Sequence, residues 1–313
     1  MTAVAQLEDV EVIQLNLGSA NAINPQFLEH LNQRLSDVEQ TGAKAALITG
    51  YEKFFCAGLD LVTLFDLSRS EMEAFVGNFK QTFLRLFSFP KPVVAAINGH
   101  AIAGGCVMAL GCDYRVMGRG TSLIGLNEIK LGIALPTIVL EFVKAALPPH
   151  SFPQVLYMGG LFQPQKAVTL HLIDELVESS SVLRRSIAVA GEFGNYGAAF
   201  SQIKKDTRAS FVEQIRAADN TSEWLDLWFS DETRRVLGEI RDGMLARRQQ
   251  RTEKEEAEAA AQQQKESTTQ AEEPAPEQPK QQIIYQDSGE VLERISDEDI
   301  ESADKPAPDQ GES

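Results

Sequence analysis

Hydrophobic positions in the first 250 residues alternate between short strand-like runs and segments with helical spacing. Apolar residues mixed among polar positions at 10–17, and continuous apolar runs at 45–50 and 93–97, predict short β-strands. Between the first two runs, apolar side chains recur every three or four residues in a segment that opens with Asn24 and Pro25, which predicts a helix capped by Asn24. The alternation predicts an α/β fold, and the continuous strands predict a sheet buried on both faces.

The pattern changes twice towards the C-terminus. After about residue 191 it is wholly helical, with segments at 200–216, 224–229 and 232–248. From residue 251 the sequence is rich in Glu, Gln, Ala and Pro and too poor in apolar residues to form a core. We therefore predict an α/β core over 1–190, a helical C-terminal region over 191–250 and a disordered acidic tail over 251–313, whose first residues could extend the preceding helix.

Charge and composition restrict the functional class. The net charge is −16, and residues 251–313 alone contain 18 acidic and 6 basic side chains, so the rest of the chain is nearly balanced. No basic stripe of the kind that binds nucleic acid is present, and no apolar run reaches the roughly 20 residues that a membrane span needs. Three cysteines without paired spacing and the lack of a leader pattern predict a cytoplasmic protein with buried, reduced thiols.

One segment of the tail differs from its surroundings. Residues 281–303 combine acidic and apolar side chains in the run QQIIYQDSGEVLERISDEDIESA. Such a patch is typical of a short docking segment for a protein partner. The alternative is residual hydrophobicity without a role.

Two glycine-containing loops follow predicted strands: FCAGLD at 55–60 and AGGC at 103–106. Adjacent glycines at the start of a helix are entropically costly, so we expect that something other than a side chain approaches the backbone there. Backbone N–H groups at such turns bind negative charge, and two converging donors are the minimum for an oxyanion hole. The alternative is that each loop is a simple turn. Neither loop matches a nucleotide-binding motif.

Four sequence runs, taken in their order and context, give a more specific indication of function than either loop does. The runs are NAINPQFLEHLNQRL, FCAGLDL, KPVVAAINGHAIAGGCVMALGCDYRV and IGLNEIKLGI. With them the chain resembles the crotonase superfamily (enoyl-CoA hydratase/isomerase family) over residues 8–245, and within it the mitochondrial type of Δ3,Δ2-enoyl-CoA isomerase. The resemblance implies a spiral of ββα units followed by a helical region that trimerises, giving a homotrimer or a dimer of trimers. It also implies a coenzyme A thioester as the substrate, with no further cofactor and no metal.

The resemblance assigns roles to individual positions. The N–H groups of Leu59 and Gly104 correspond to the pair that holds the thioester oxygen, and the glycines would let the thioester approach. Acyl-chain length would depend on the residues near the reacting carbons, which are Leu64, Phe65, Ile133, Pro136 and Phe142. Coenzyme A would bind along the backbone around Ala22, Ile23, Ala57, Gly58 and Gly105.

Two positions bear on the reaction type. Hydratases of this family use two glutamates, and the matching positions here are Val107 and Glu128. Hydration requires an acid and a base, whereas a single carboxylate can move a proton from C2 to C4 of a 3-enoyl-CoA. The pair therefore favours an isomerase with Glu128 as its catalytic acid and base. Another acyl-CoA enzyme of the same fold (hydratase, hydrolase or dienoyl isomerase) and a non-catalytic trimer that displays acidic tails are the alternatives.

Overall fold

The computed structural model describes residues 9–272, except 52 and 219. A five-stranded parallel sheet has the order β1-β2-β4-β6-β9, and a second sheet has the order β3-β5-β7-β8. Only the β7–β8 pair is antiparallel among these strands. The strands are β1 Val10–Gln14, β2 Ala45–Thr49, β3 Phe54–Cys56, β4 Val93–Ile97, β5 His100–Ile102, β6 Tyr114–Gly118, β7 Ile124–Gly125, β8 Leu161–Phe162 and β9 Glu175–Val177.

The two sheets are built by repetition along the chain. Each of the pairs β2/β3, β4/β5 and β6/β7 gives its first strand to the large sheet and its second to the small one. Helices connect successive pairs, so the backbone winds as a spiral. The predicted α/β fold with its crotonase-like spiral is confirmed.

The large sheet is buried on both faces, as its continuous apolar strands predict. In β2, Ile48 packs into the main core, while its neighbour Leu47 belongs to a second core on the opposite face. That second core is completed by Val182 and Val189, which lie on the helix spanning Val182–Asn195. Both faces therefore exclude water, which suits a parallel sheet.

The helices begin and end close to where the periodicity places them. Asn24 caps the first helix by accepting a hydrogen bond from the Phe27 N–H at 3.0 Å, as predicted. Ser68 and Glu71 form a capping box that starts the third helix at Arg69. The helices are α1 Pro25–Gln40, α2 Leu61–Leu64, α3 Arg69–Phe87, α4 Gly104–Gly111, α5 Thr137–Ala146, α6 Pro164–Thr169, α7 Val182–Asn195, α8 Gly197–Ala217, α9 Thr221–Trp228 and α10 Asp231–Glu272.

A buried charge cluster connects the helical C-terminal region to the core. Asp113, which follows α4, accepts hydrogen bonds from the Val93 N–H at 2.7 Å and from Lys204 Nζ of α8 at 2.7 Å. Its other oxygen pairs with Arg208 at 2.9 Å. A charge taken out of water must be paired in this way. The Asp113 carboxylate therefore links α8 to β4 and to the end of α4.

The last helix runs further than the sequence boundary at 250. α10 continues to Glu272, so the first residues of the tail extend the preceding helix, the possibility that the sequence allows. Glu, Ala, Gln and Lys dominate these residues, and all four have high helix propensity. Residues 273–313 lie outside the described residues, and the docking role of segment 281–303 stays a prediction.

Within the described ranges, none of the helices is both long and apolar enough to cross a membrane. The three cysteines, Cys56, Cys106 and Cys112, are buried and unpaired. Burial raises the pKa of the Cys56 thiol to about 12, so it stays protonated and unreactive.

Candidate active site

In the loop after β3, the backbone N–H of Leu59 points away from the adjacent segment that contains Ile23. A parallel bridge joins Ile23 to Leu59: the Ile23 N–H donates to Gly58 O at 2.7 Å, and the Asp60 N–H donates to Ile23 O at 2.9 Å. Because these bonds use the groups on either side of Leu59, the Leu59 N–H points away from Ile23. Asp60 accepts from Asn24 Nδ2 at 3.1 Å and from the Thr63 N–H at 3.2 Å, which fixes the loop.

A second N–H is presented by the start of α4. Ala103 precedes this helix with φ of 52° and ψ of −123°, a conformation that L-residues rarely adopt. Its N–H donates to Gly125 O at 2.8 Å, which holds the turn in place. Gly104 is the first residue of the helix, and the first N–H groups of a helix have no intrahelical acceptor. The positive end of the helix dipole adds to this donor.

The glycines of the two loops are required by contact between the loops themselves. A Cβ on Gly104 would lie 2.7 Å from Ile23 Cδ1, and one on Gly105 would lie 2.0 Å from Cys56 O. Gly58 has φ of +89°, and its Cβ would lie 2.8 Å from that of Ala103. The expectation that these glycines mainly make room for a thioester is therefore corrected: protein atoms already occupy the space that their side chains would take.

Both loops open onto one cleft, which we term the reaction cleft. Leu59, Gly104, Val107 and Glu128 all line it, so the structure brings the predicted oxyanion pair and the predicted acid and base together. The rest of its lining is apolar. It consists of Phe75, Val76 and Phe79 from α3, Ile133, Ala134, Leu135 and Pro136 from the segment before α5, Val139 from α5, and Trp224 from α9.

Glu128 is the first residue of the 3₁₀ turn Glu128–Leu131, which follows β7 closely. Its Oε2 atom is buried and has no hydrogen-bond partner among the described residues. Burial raises the pKa of this carboxyl from 4.5 to about 7, although hydrogen bonds from the backbone of Glu128 and Asn127 act in the opposite direction. A carboxyl with this pKa exchanges a proton readily near neutral pH.

The residues expected to contact coenzyme A have mixed positions. Ile23, Gly58 and Gly105 are buried in the contacts that hold the two loops together. Ala22 and Ala57 are partly exposed, and the Ala57 N–H donates to Ala20 O at 3.0 Å. Contact of these residues with coenzyme A stays a prediction.

The residues expected to set acyl-chain length are only partly at the cleft. Ile133 and Pro136 line it. Leu64 and Phe142 are fully buried in the core, and Phe65 lies beneath the guanidinium of Arg234 at 3.5 Å from its ring centre. The cleft is formed between elements that are remote in sequence, so the sequence alone does not show which apolar side chains line it.

Two parts of the cleft lining were missed from the sequence. Phe75 and Phe79 belong to the aromatic stripe of α3, whose helical spacing is typical of a core-facing side. Trp224 comes from α9 and donates from Nε1 to Ala134 O at 2.9 Å. A bulky aromatic residue in a helix that follows the α/β core was the one available signal for this wall.

Other reactive side chains lie elsewhere. His100 Nδ1 accepts from the Leu123 N–H at 3.1 Å, a structural role, and His100 does not line the reaction cleft. Burial raises the pKa of Cys106, and the nearby Glu128 raises it further. The described residues contain no group of three His, Cys, Asp or Glu side chains arranged to hold a metal ion.

Comparison with known proteins identifies the family to which the chain belongs. The sequence profile of the family described as enoyl-CoA hydratase/isomerase matches residues 6–234. The chain is 29% identical over 187 residues to "Enoyl-CoA delta isomerase 1, mitochondrial" of Rattus norvegicus, covering 59% of this chain and 65% of that protein, just under two thirds. It is 34% identical over 198 residues to "Probable enoyl-CoA hydratase" of Bacillus subtilis, covering 62% and 76%.

Among solved structures, the fold is similar to that of human mitochondrial delta3-delta2-enoyl-CoA isomerase. The TM-score is 0.73 at 25% sequence identity, over 77% of this chain and 96% of the human one. An enoyl-CoA hydratase from Mycobacterium ulcerans matches with a TM-score of 0.65 at 28% identity, over 71% of this chain and 96% of that chain. Proteins named for isomerisation and proteins named for hydration are thus both similar to this chain.

Proposed function

Because the chain belongs to the enoyl-CoA hydratase/isomerase family, we propose that it is an isomerase that moves a double bond from C3 to C2 of an enoyl-CoA. The observation that carries the proposal is the composition of the reaction cleft. Glu128 is the one ionisable side chain among the described residues that line it. Val107, at the position of the second glutamate of hydratases, is a fully buried hydrocarbon.

The reaction needs only what this cleft contains. Glu128 begins as a carboxylate and removes a proton from C2 of the 3-enoyl thioester. The electron pair of the broken C–H bond moves into the C1–C2 bond and onto the thioester oxygen, giving a dienolate. The protonated Glu128 then delivers the proton to C4, and the double bond forms between C2 and C3. Glu128 is regenerated as a carboxylate, so one residue serves as base and then as acid.

The N–H groups of Leu59 and Gly104 stabilise the charge that develops on the thioester oxygen. Both belong to the backbone of loops fixed by hydrogen bonds, so they need no reorganisation during the reaction. One such donor typically contributes about 3–4 kcal/mol to transition-state stabilisation. The apolar lining of the cleft keeps water away from the dienolate and strengthens these interactions.

Hydration of a 2-enoyl-CoA is the competing activity, since relatives named as hydratases are as similar as those named as isomerases. Hydration needs one group to activate water and another to protonate carbon. The lining offers Glu128 for one of these tasks and an aliphatic side chain at Val107 in place of the other. This difference favours isomerisation.

The test supplies purified protein with a trans-3-enoyl-CoA and follows the ultraviolet absorbance of the conjugated 2-enoyl thioester. We expect absorbance to appear and to persist, because the product is not hydrated. Glu128→Gln should reduce the rate by about 10²–10⁴-fold. Glu73→Gln is the matched control, since Glu73 is an exposed glutamate on α3, and it should leave the rate unchanged.

Two results would contradict the proposal. One is a Glu128→Gln variant that retains the wild-type rate. The other result concerns two rates. If the absorbance of a 2-enoyl-CoA disappears faster than the same absorbance forms from the 3-enoyl isomer, the enzyme is a hydratase. The homotrimer or dimer of trimers that the resemblance implies stays a prediction, which sedimentation analysis of the purified chain tests. The cytoplasmic location expected from the cysteines and the lack of a leader pattern also stays a prediction.

A further inference from the structure

Two of the four histidines of the chain lie side by side, away from the reaction cleft. The ring centres of His150 and His171 are 6.3 Å apart, and the ring planes cross at 76°. Both side chains are exposed to solvent. His150 follows α5 and His171 follows α6, so two separate elements of the fold bring the pair together.

The backbone of His150 is held by its neighbours. His150 is the central residue of the 3₁₀ turn Pro149–Ser151. Pro148 and Pro149 precede it, and their rings restrict the backbone angle φ at both positions. The Ser151 N–H donates to Pro148 O at 2.9 Å, and Ser151 is fully buried. The position of the His150 Cα is therefore fixed, and the freedom that remains is in its side-chain torsions.

His171 occupies a backbone position that glycine usually takes. Its φ is 59°, in the left-handed region, just after the end of α6. The His171 N–H donates to Val168 O at 3.0 Å. The Leu172 N–H donates to Ala167 O at 3.0 Å, and these two bonds together form a Schellman motif. Histidine adopts this conformation more often than most residues, although glycine does so at a lower cost. The motif fixes the direction of the His171 Cα–Cβ bond.

We propose that His150 and His171 together bind one divalent transition-metal cation. Neutral imidazole is a preferred ligand of Zn²⁺, Ni²⁺ and Cu²⁺. With metal–nitrogen distances of about 2.0–2.1 Å, two imidazoles on one tetrahedral cation have ring centres roughly 5–6 Å apart. The separation of 6.3 Å is slightly larger, and rotation about the side-chain torsions of these two exposed residues closes the difference. Water completes the coordination shell of such a two-histidine site.

The pair has two advantages over the other possible ligands of the chain. Because both backbones are fixed, the second imidazole is present at a high effective concentration once the first has bound the cation. The three cysteines, which would otherwise compete for a soft cation, are all buried. His100 differs from the pair in that its Nδ1 already accepts a hydrogen bond from the Leu123 N–H. We therefore expect the tightest binding of transition metals at His150 and His171.

The test measures metal binding, so it does not depend on the reaction that the reaction cleft catalyses. Titration calorimetry would follow NiCl₂ added to the full chain, which carries no histidine tag and has been stripped of metal with a chelator that is then removed. We expect one tight site per chain, with affinity falling from Ni²⁺ to Co²⁺ to Mn²⁺, the order that nitrogen ligands impose. Excess MgCl₂, which occupies carboxylates and not imidazoles, should leave the Ni²⁺ affinity unchanged.

The left-handed conformation of His171 allows a variant that removes a ligand without harming the fold. His171→Gly should weaken Ni²⁺ binding by about tenfold or more, while the melting temperature of the metal-free protein stays the same or rises. His150→Gln should weaken Ni²⁺ binding to a similar extent. His30→Gln is the matched control, since His30 lies on α1 and belongs to neither element of the pair, and it should leave the affinity unchanged.

The outcomes distinguish a shared site from independent histidines. Loss of Ni²⁺ affinity in both His150→Gln and His171→Gly, but not in His30→Gln, supports the two-histidine site. Wild-type affinity in either of the first two variants would overturn it, because each ring would then bind metal alone. An equal loss in His30→Gln would also overturn it. Failure of the isomerase assay would remove the proposed reaction and leave this site standing, because the two measurements share no residue.

Discussion

Val107 and Glu128 line the same cleft, the first as a hydrocarbon and the second as a carboxyl whose Oε2 has no hydrogen-bond partner in the described structure. Among the described residues that line the cleft, Glu128 has the one ionisable side chain, and its apolar surroundings have a direct electrostatic effect. Desolvation is the largest influence on this carboxyl and raises its pKa to about 7. In the proposed reaction, the apolar surroundings that leave one ionisable side chain in the cleft would also bring the pKa of that side chain close to neutral pH.

The pH dependence of turnover follows from this pKa. Glu128 must begin as a carboxylate, so kcat/KM for a 3-enoyl-CoA should be constant above about pH 7 and fall tenfold per unit below it. Steady-state kinetics between pH 5 and pH 9 in a constant-ionic-strength buffer would measure the profile. A plateau that continues down to pH 5 would show that Glu128 titrates like an exposed glutamate.

Glu128 should also lower stability at the pH where it works. Its folded-state pKa lies above the usual 4.5, so the folded state holds a proton that the unfolded state has released, and the free energy of unfolding falls as pH rises from about 4.5 to 7. Glu128→Gln should therefore raise stability by up to about 3 kcal/mol at pH 8 and by less than about 1 kcal/mol at pH 5. Urea denaturation at both pH values measures the difference.

A useful control for that experiment is Glu73→Gln, which changes an exposed glutamate of α3. Its effect should stay within about 0.5 kcal/mol at both pH values. If Glu128→Gln destabilises the protein at pH 8, the carboxylate has a favourable partner, and desolvation does not dominate its pKa.

Introducing a second carboxyl should change the reaction. Val107→Glu places an acid beside Glu128 in the cleft, and the variant should gain hydration of 2-enoyl-CoA while losing part of its isomerase rate. Val107 is fully buried, so a larger side chain there alters the packing. Val107→Gln is the control, because glutamine is similar in size to glutamate and uncharged. Hydration in the glutamine variant as well would assign the gain to water access, and not to a second proton-transfer group.

The sequence was sufficient for the parts of the fold that have a strong local signal. The strand Val93–Ile97 has the predicted bounds, and Asn24 caps α1 as its position before Pro25 indicates. The sequence left the end of α10 open, because Glu, Ala, Gln and Lys are equally abundant in exposed helices and in disordered tails. Composition alone does not distinguish those two states.

The site was predictable only in its backbone and catalytic part. Leu59, Gly104 and Glu128 follow short strands, and the resemblance of their motifs was enough to bring them together. The apolar wall formed by Phe75 and Trp224 was not predictable, because it depends on the packing of α3 and α9 against the segment before α5. An aromatic residue that lines a cleft and one that fills a core have the same helical spacing.

The Asp113 cluster should dominate the attachment of α8. Asp113→Asn leaves Lys204, a lysine whose pKa burial already lowers to about 8, without its carboxylate partner. Breaking one member of a buried pair costs about 3–5 kcal/mol, so thermal and urea denaturation should show a loss of that size. The exposed pair of Asp66 with Arg241 is the comparison, and Asp66→Asn should cost less than about 1 kcal/mol. Equal losses in the two variants would contradict the assignment.

Displacing the oxyanion donors should reduce kcat without removing the fold. Gly58→Ala would place a Cβ 2.8 Å from that of Ala103 and 3.1 Å from Gly104 N, so both loops must shift and the two N–H groups separate. We expect kcat to fall by about 10²–10³-fold with a smaller change in KM. Gly77→Ala in α3, where a Cβ meets nothing within 4 Å, is the control and should leave kcat unchanged while adding up to about 1 kcal/mol of stability. An unchanged kcat in Gly58→Ala would remove Leu59 and Gly104 from the mechanism.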